Sequence, residues 1–140
     1  MLETTKELEE LSQEVRSTAS PERLQANAQT ISDLVASGLR ASALRERGVA
    51  PDFSLPAARG HVVALKTLLD RGPVVISFYR GGWCPFCNLE LRGLQCVLPE
   101  IVQMGASLVA ISPQLPDNSL STEEKNQLTF PGDRPTFRGK

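Results

Sequence analysis

The chain has 140 residues, with 15 basic and 16 acidic side chains and 41% hydrophobic content, which suits one globular domain with a modest core and is too little for two full ones. A net charge of -1 with no long run of either sign excludes an electrostatic footprint for nucleic acid. No apolar run approaches the ~20 residues of a membrane span, and the acidic start from Met1 to Glu10 lacks the apolar stretch of a secretory signal, so the sequence reads as a cytoplasmic protein that binds neither membrane nor nucleic acid.

Residues 1–48 read as an N-terminal helical extension. Leu8, Leu11 and Val15 form one apolar stripe, and Leu24, Ala28, Ile31 and Val35 a second, both at helical spacing. Ser20-Pro21 separates them, with serine suited to an N-cap and proline to the first helical position. Charges interrupt every turn and no aromatic residue occurs there, so the pattern describes an amphipathic hairpin packed on the domain or a partner, without chemistry of its own.

From Ala50 the texture changes. Asp52-Phe53-Ser54-Leu55-Pro56, then Arg59-Gly60, then His61-Val62-Val63-Ala64 read as strand, turn and strand, with His61 a solvated turn residue. Leu65 to Arg71 fits a short helix before Gly72-Pro73. Val74 to Tyr79 is a continuous apolar run, which predicts a strand buried on both faces at the centre of a parallel sheet. A helix follows from Cys84 to about Met104, with Cys87, Leu91, Leu94, Leu98 and Ile101 as its core stripe. Ser107 to Ser112 is a second buried-type strand, and strand, helix, strand in that order implies a parallel crossover. Ser121-Thr122-Glu123-Glu124 has capping-box spacing for a further helix start. The last ten residues, 131–140, form a polar tail.

The chemistry lies in Trp83-Cys84-Pro85-Phe86-Cys87. A cysteine in the first turn of a helix meets unpaired backbone N–H groups and the positive end of the macrodipole, both of which favour thiolate over thiol. On this pattern Cys87 lies on the inward face and Cys84 at the exposed tip. A structural zinc site needs four ligands, whereas the chain offers Cys84, Cys87, Cys96 and a distant His61; no metal is expected. A purely structural bridge is also disfavoured, because the stabilisation from closing a loop grows with the loop's size. The pattern therefore reads as a redox-active dithiol. Cys96 lies half a turn out of phase with Cys87 and about 13 Å along the helix, too far to pair with it, and reads as a packed small hydrophobe.

From about Ala50 to Phe130 the chain resembles the peroxiredoxin-like branch of the alkyl hydroperoxide reductase and thiol-specific antioxidant (AhpC/TSA) family. The residues that carry the resemblance are Ala50-Pro51-Asp52-Phe53-Ser54-Leu55-Pro56, the run from Val75 to Leu91, and Leu108-Val109-Ala110-Ile111-Ser112-Pro113-Gln114. The resemblance implies an α/β, thioredoxin-like fold over residues 49–130 and a thiol-dependent peroxidase that works without a cofactor. It places Cys87 at the peroxidatic position, puts Cys84 where the family has threonine or serine and Arg80 where it has proline, and aligns Glu90 with a frequent glutamate. Cys84 then becomes the resolving partner, with a reversible Cys84–Cys87 disulfide and with Arg80, Glu90 and Trp83 in support. The Cys-Pro-Phe-Cys quartet is equally similar to glutaredoxins and thioredoxins, in which Cys84 would be the nucleophile of a disulfide reductase. The implied partners are a peroxide or disulfide substrate and a cellular dithiol of the thioredoxin or glutathione type. The family continues beyond Phe130 into further strands, a cis-proline loop, an arginine and a helix, so the fold is expected to be C-terminally incomplete. An open sheet edge would follow, and with it a homodimer or other self-association. The remaining reading is an inactive fragment whose helical extension serves assembly.

Overall fold

A computed structural model describes residues 2–130, 132 and 133. The chain divides into two units, Lys6–Pro51 and one that holds Asp52 onward. Helices come first: α1 (Leu2–Thr18), α2 (Pro21–Ala36) and the short α3 (Leu39–Ser42). Ser20 caps α2 as its sequence predicts, its Oγ accepting from the Arg23 backbone N–H at 3.3 Å, with Pro21 in the first turn. The apolar stripe on α2 does not become core. None of its residues is buried, and Ile31 and Val35 are 63% and 73% exposed. Spacing gathers apolar side chains on one face of a helix, but burial needs a second surface to cover them.

The other unit begins with β1 (Ser54–Pro56) and β2 (Val62–Ala64), an antiparallel pair in which Leu55 faces Val63. Then come α4 (Leu65–Leu69), β3 (Val74–Phe78), α5 (Pro85–Gln103), β4 (Ser107–Ile111), α6 (Pro116–Asn126) and β5 (Gly132–Asp133). The three last strands form a parallel sheet in the order β3-β4-β5, so the expected crossover through α5 is present and α6 makes a second. Gly132 and Asp133, which the sequence reading places in the polar tail, pair with Ala110 and Ile111; the other residues of 131–140 lie outside the described ones.

β4 is the strand around which the core is built. Its residues alternate between two apolar clusters, as the period of two dictates. Leu108 and Ala110 join Cys84, Cys87, Leu91 and Ile101 on the α5 side, while Val109 and Ile111 join Leu55, Ala57 and Val63 of the hairpin layer. The run Val74 to Tyr79 was expected at the centre with one edge left open beyond it; among the described strands β3 has β4 as its one neighbour, and its faces are less covered than a central strand's, with Val75 40% and Phe78 74% exposed. A continuous apolar run identifies a strand suited to two covered faces without determining which elements cover them. The expected helix start at Ser121 is corrected. α6 begins at Pro116 with Leu115 as N-cap, so the capping-box residues fall inside the helix, where proline at the first turn has already set its start.

At the lower end of the sheet, two turns meet. Gly72 has φ 148°, and a Cβ there would collide with the carbonyl oxygen of Gly105 in the turn that precedes β4. Beside this contact Ser107 N–H donates to the Pro73 carbonyl at 2.8 Å, joining the starts of the neighbouring strands.

Candidate functional site

The site forms at the opposite end of the sheet, where β3 passes into α5. Tyr79 N–H donates to Ile111 O at 2.9 Å, which fastens the residue just past the end of β3 to β4. The chain then turns through Arg80, Gly81 and Gly82. Cys84 N–H donates to the Gly81 carbonyl at 3.0 Å, and the Cys84 carbonyl accepts the first bond of the helix, from Asn88 N–H at 3.1 Å. Cys84 is therefore the N-cap of α5, Pro85 fills the first position, where a missing N–H costs nothing, and Cys87 completes the first turn.

Both thiols are enclosed. Cys84 is 3% and Cys87 8% exposed, and both belong to the cluster that contains Tyr79, Leu91, Leu128 and Phe130. The expectation of an exposed Cys84 at the helix tip is thus corrected. Tyr79 from the end of β3, and Leu128 and Phe130 from the distant segment after α6, share its cluster, and a helix-phase argument includes none of them. Cys87 lies inward as its phase predicts. Burial pushes its thiol above the ordinary range, and the neighbouring Cys84 side chain adds to this through a hydrogen bond and through charge; the backbone N–H groups of Arg80 and Gly81 pull it down. The two sulfurs thus interact, and the loop aims two main-chain donors at the position where a Cys87 thiolate would form.

The other predicted residues are not gathered around the sulfurs. Arg80 is exposed, and its guanidinium lies 4.7 Å from the centroid of the Trp83 ring; Trp83 is itself 66% exposed. What Arg80 brings to Cys87 is its backbone N–H. Glu90 is exposed on α5. Cys96, expected to be packed, is exposed, because the phase that removes it from the core stripe turns it outward. All three cysteines are free thiols, and no group of three or more potential metal ligands comes together among the described residues.

A set of polar side chains that sequence reasoning missed surrounds the loop. Gln114, just after β4, accepts from Gly82 N–H at 2.8 Å, and Asn88 donates to the Gly82 carbonyl at 2.8 Å. Asn88, Thr122 and Asn126 are all buried. The available signal was Asn88 itself, a polar residue directly after Cys87 on the inward side of an apolar helix.

With this geometry in view, comparison with known proteins is direct. Residues 47–132 match the AhpC/TSA family, and the chain belongs to it. Peroxiredoxin Bcp of Escherichia coli (strain K12) is 31% identical over 87 residues, which cover 62% of this chain and 55% of that protein. The crystal structure of peroxidoxin BcpB from Mycobacterium tuberculosis matches with a TM-score of 0.58 at 29% identity, covering 61% of this chain and 55% of that one. A bacterioferritin comigratory protein from Xanthomonas campestris, at 23% identity and a TM-score of 0.54 over 58% of this chain and 51% of its own, shares the fold. The fold is thus the thioredoxin-like, peroxiredoxin-type α/β fold that the sequence led us to expect. The chain spans about half the length of the curated relatives it matches.

Proposed function

We propose that the chain is a peroxiredoxin-type thiol oxidoreductase whose reacting groups are Cys87 and Cys84. The observation that carries this reading is the convergence on Cys87 of two backbone N–H donors and the Cys84 side chain at the first turn of α5. The Cys87 thiolate attacks one oxygen of a peroxide ROOH; the O–O bond breaks, Cys87 becomes a sulfenic acid, and the departing alkoxide takes up a proton to give ROH. Cys84 then attacks the Cys87 sulfur and water leaves, so that one peroxide is reduced and one Cys84–Cys87 disulfide is formed. A dithiol of the thioredoxin type, or glutathione, restores the pair by exchange. The E. coli and M. tuberculosis relatives are named as a peroxiredoxin and a peroxidoxin, which supports a peroxide as the substrate. Arg80 serves through its main chain, Trp83 and Glu90 stand outside the reacting pair, and self-association and a cytoplasmic setting belong to the same reading.

One observation favours a second reading. Burial holds the Cys87 thiol up, as befits a resolving cysteine in a thioredoxin-like disulfide reductase that uses Cys84 as nucleophile. Treating Cys84→Ser and Cys87→Ser with peroxide separates the two. Sulfenic acid trapped at Cys87 in the first variant supports peroxide attack by Cys87; sulfenic acid on Cys84 in the second, and none in the first, overturns it.

A further inference from the structure

We propose that Asn88 is a positioning residue that latches the Arg80–Cys84 loop shut over the dithiol, through a chain of side-chain amides anchored on α6. The proposal rests on Cys84 and Cys87 being the reacting pair. With the two sulfurs 3% and 8% exposed in a cluster that includes Tyr79, Leu128 and Phe130, a substrate arriving from solvent reaches them only when part of that enclosure gives way, and the loop that carries Cys84 itself is one part whose movement would carry a sulfur outward. That loop is gripped at a single peptide on each side. Gly82 N–H donates to Gln114 Oε1 and Gly82 O accepts from Asn88 Nδ2, both at 2.8 Å.

Neither gripping side chain is free to drift. Asn88 Oδ1 accepts from Asn126 Nδ2 at 2.9 Å, which also donates to the Thr122 carbonyl at 3.0 Å, while Asn126 Oδ1 accepts from Arg92 at 3.0 Å. Gln114 Nε2 reaches Thr122 Oγ1 at 3.3 Å. Thr122 in turn sits so close to Gly82 that a Cβ on that glycine would collide with Thr122 Oγ1. The loop, the N-terminal part of α5 and the C-terminal half of α6 are therefore held as one hydrogen-bonded body. Buried amides of this kind are costly to leave unpaired, so the loop has one favoured closed position. Opening it requires the Asn88–Gly82 bond to break, and because Asn88 follows Cys87 in the chain, the fixed end of the latch lies beside the sulfur it guards.

The test compares, site by site and by mass spectrometry, how fast iodoacetamide alkylates the full chain and its variants Asn88→Ala, Asn88→Asp and Gln114→Ala. Asn88→Asp keeps size and an acceptor but removes the donor to Gly82. Cys96, exposed on the same helix, is the internal reference. The expected result is a rise of at least ten-fold in the Cys84 to Cys96 rate ratio for both Asn88 variants, and a smaller rise for Gln114→Ala. The pH midpoint of Cys87 alkylation should fall in Asn88→Ala, since relieving burial removes the chief cause of its elevation. If circular dichroism shows an Asn88 variant unfolded, Gln114→Ala carries the test. A ratio within two-fold of the parent in a folded variant, including a parallel rise at Cys84 and Cys96, overturns the latch. Failure of the reacting-pair reading shows itself separately, as absence of trapped sulfenic acid in both Cys84→Ser and Cys87→Ser.

Discussion

The guanidinium of Arg80 stacks on the ring of Trp83, 4.7 Å from its centroid, on an exposed part of the site loop. A charge held there is screened by water from the buried Cys87 sulfur, whereas the backbone N–H of the same residue points toward it. Arg80→Ala should therefore leave the pH midpoint of Cys87 alkylation within about 0.3 unit of the parent, and loss of the exposed cation–π contact should lower stability by only about 0.5–1 kcal/mol. A shift of a full unit would show that the charge reaches the site after all.

Because burial raises the Cys87 thiol above its unfolded value, the folded dithiol state holds its proton to higher pH than the unfolded chain does. Below the ordinary thiol range both states are protonated and stability is unaffected. As pH rises through the unfolded thiol value, near 8.5, the unfolded chain ionises first and stability falls until Cys87 ionises in the fold as well. Urea midpoints of the reduced protein should drop between pH 8 and 10, and the drop should shrink in Cys87→Ser; an equal drop in both would place its origin elsewhere.

Mild oxidation should yield a two-hydrogen loss confined to the peptide bearing Cys84 and Cys87, with Cys96 still open to alkylation. The two sulfurs interact within one helical turn, and Cys96 is exposed nine residues further along α5. Finding Cys96 in the principal disulfide of the monomeric protein would contradict the assignment.

Leu91 is 1% exposed in the cluster that also contains both site cysteines. Leu91→Ala leaves a cavity under the dithiol and should destabilise the domain by about 2–5 kcal/mol, read from urea unfolding. A loss under about 1 kcal/mol would mean that α5 settles to fill the space.

The edge strand carries its own expectation. Val75 and Phe78 are exposed on β3, which has one neighbour among the described strands, and an exposed apolar edge favours pairing with another chain. Light scattering should give a mass above that of one chain, falling toward it in Phe78→Lys with little change in the unfolding midpoint. A monomeric parent chain would remove the basis for self-association.

What could be read in the sequence is what depends on near neighbours. The span of α5, its stripe from Cys87 to Ile101, the cap at Ser20 and the two strands flanking the helix follow from periodicity and turn chemistry, which act within a few residues. What could not be read depends on distant ones. Cys84 shares its cluster with Leu128 and Phe130, and β3 is an edge among the described strands because of which of them join β4. The grip of Gln114 and Asn88 on Gly82 spans 32 and six residues, and a lone buried asparagine does not announce its partner. Arg80 draws the eye by its charge, whereas its contribution to the Cys87 titration comes from its backbone N–H, a group that every residue but proline carries.

The contact between the Gly72 and Gly105 turns has a bearing on how this domain tolerates change. Since no side chain fits at Gly72, and Ser107 is tied to Pro73 beside it, the floor of the sheet is a fixed seam, where even one added methyl group would wedge the strands apart. The opposite rim is pinned at a glycine too, since a Cβ on Gly82 would meet Thr122 Oγ1. The two ends differ in what blocks the added atom, a backbone carbonyl at the floor and a side chain at the rim, so a new loop grafted at the rim needs a smaller residue at 122 or a glycine kept at 82, whereas Gly72 has no such compensation.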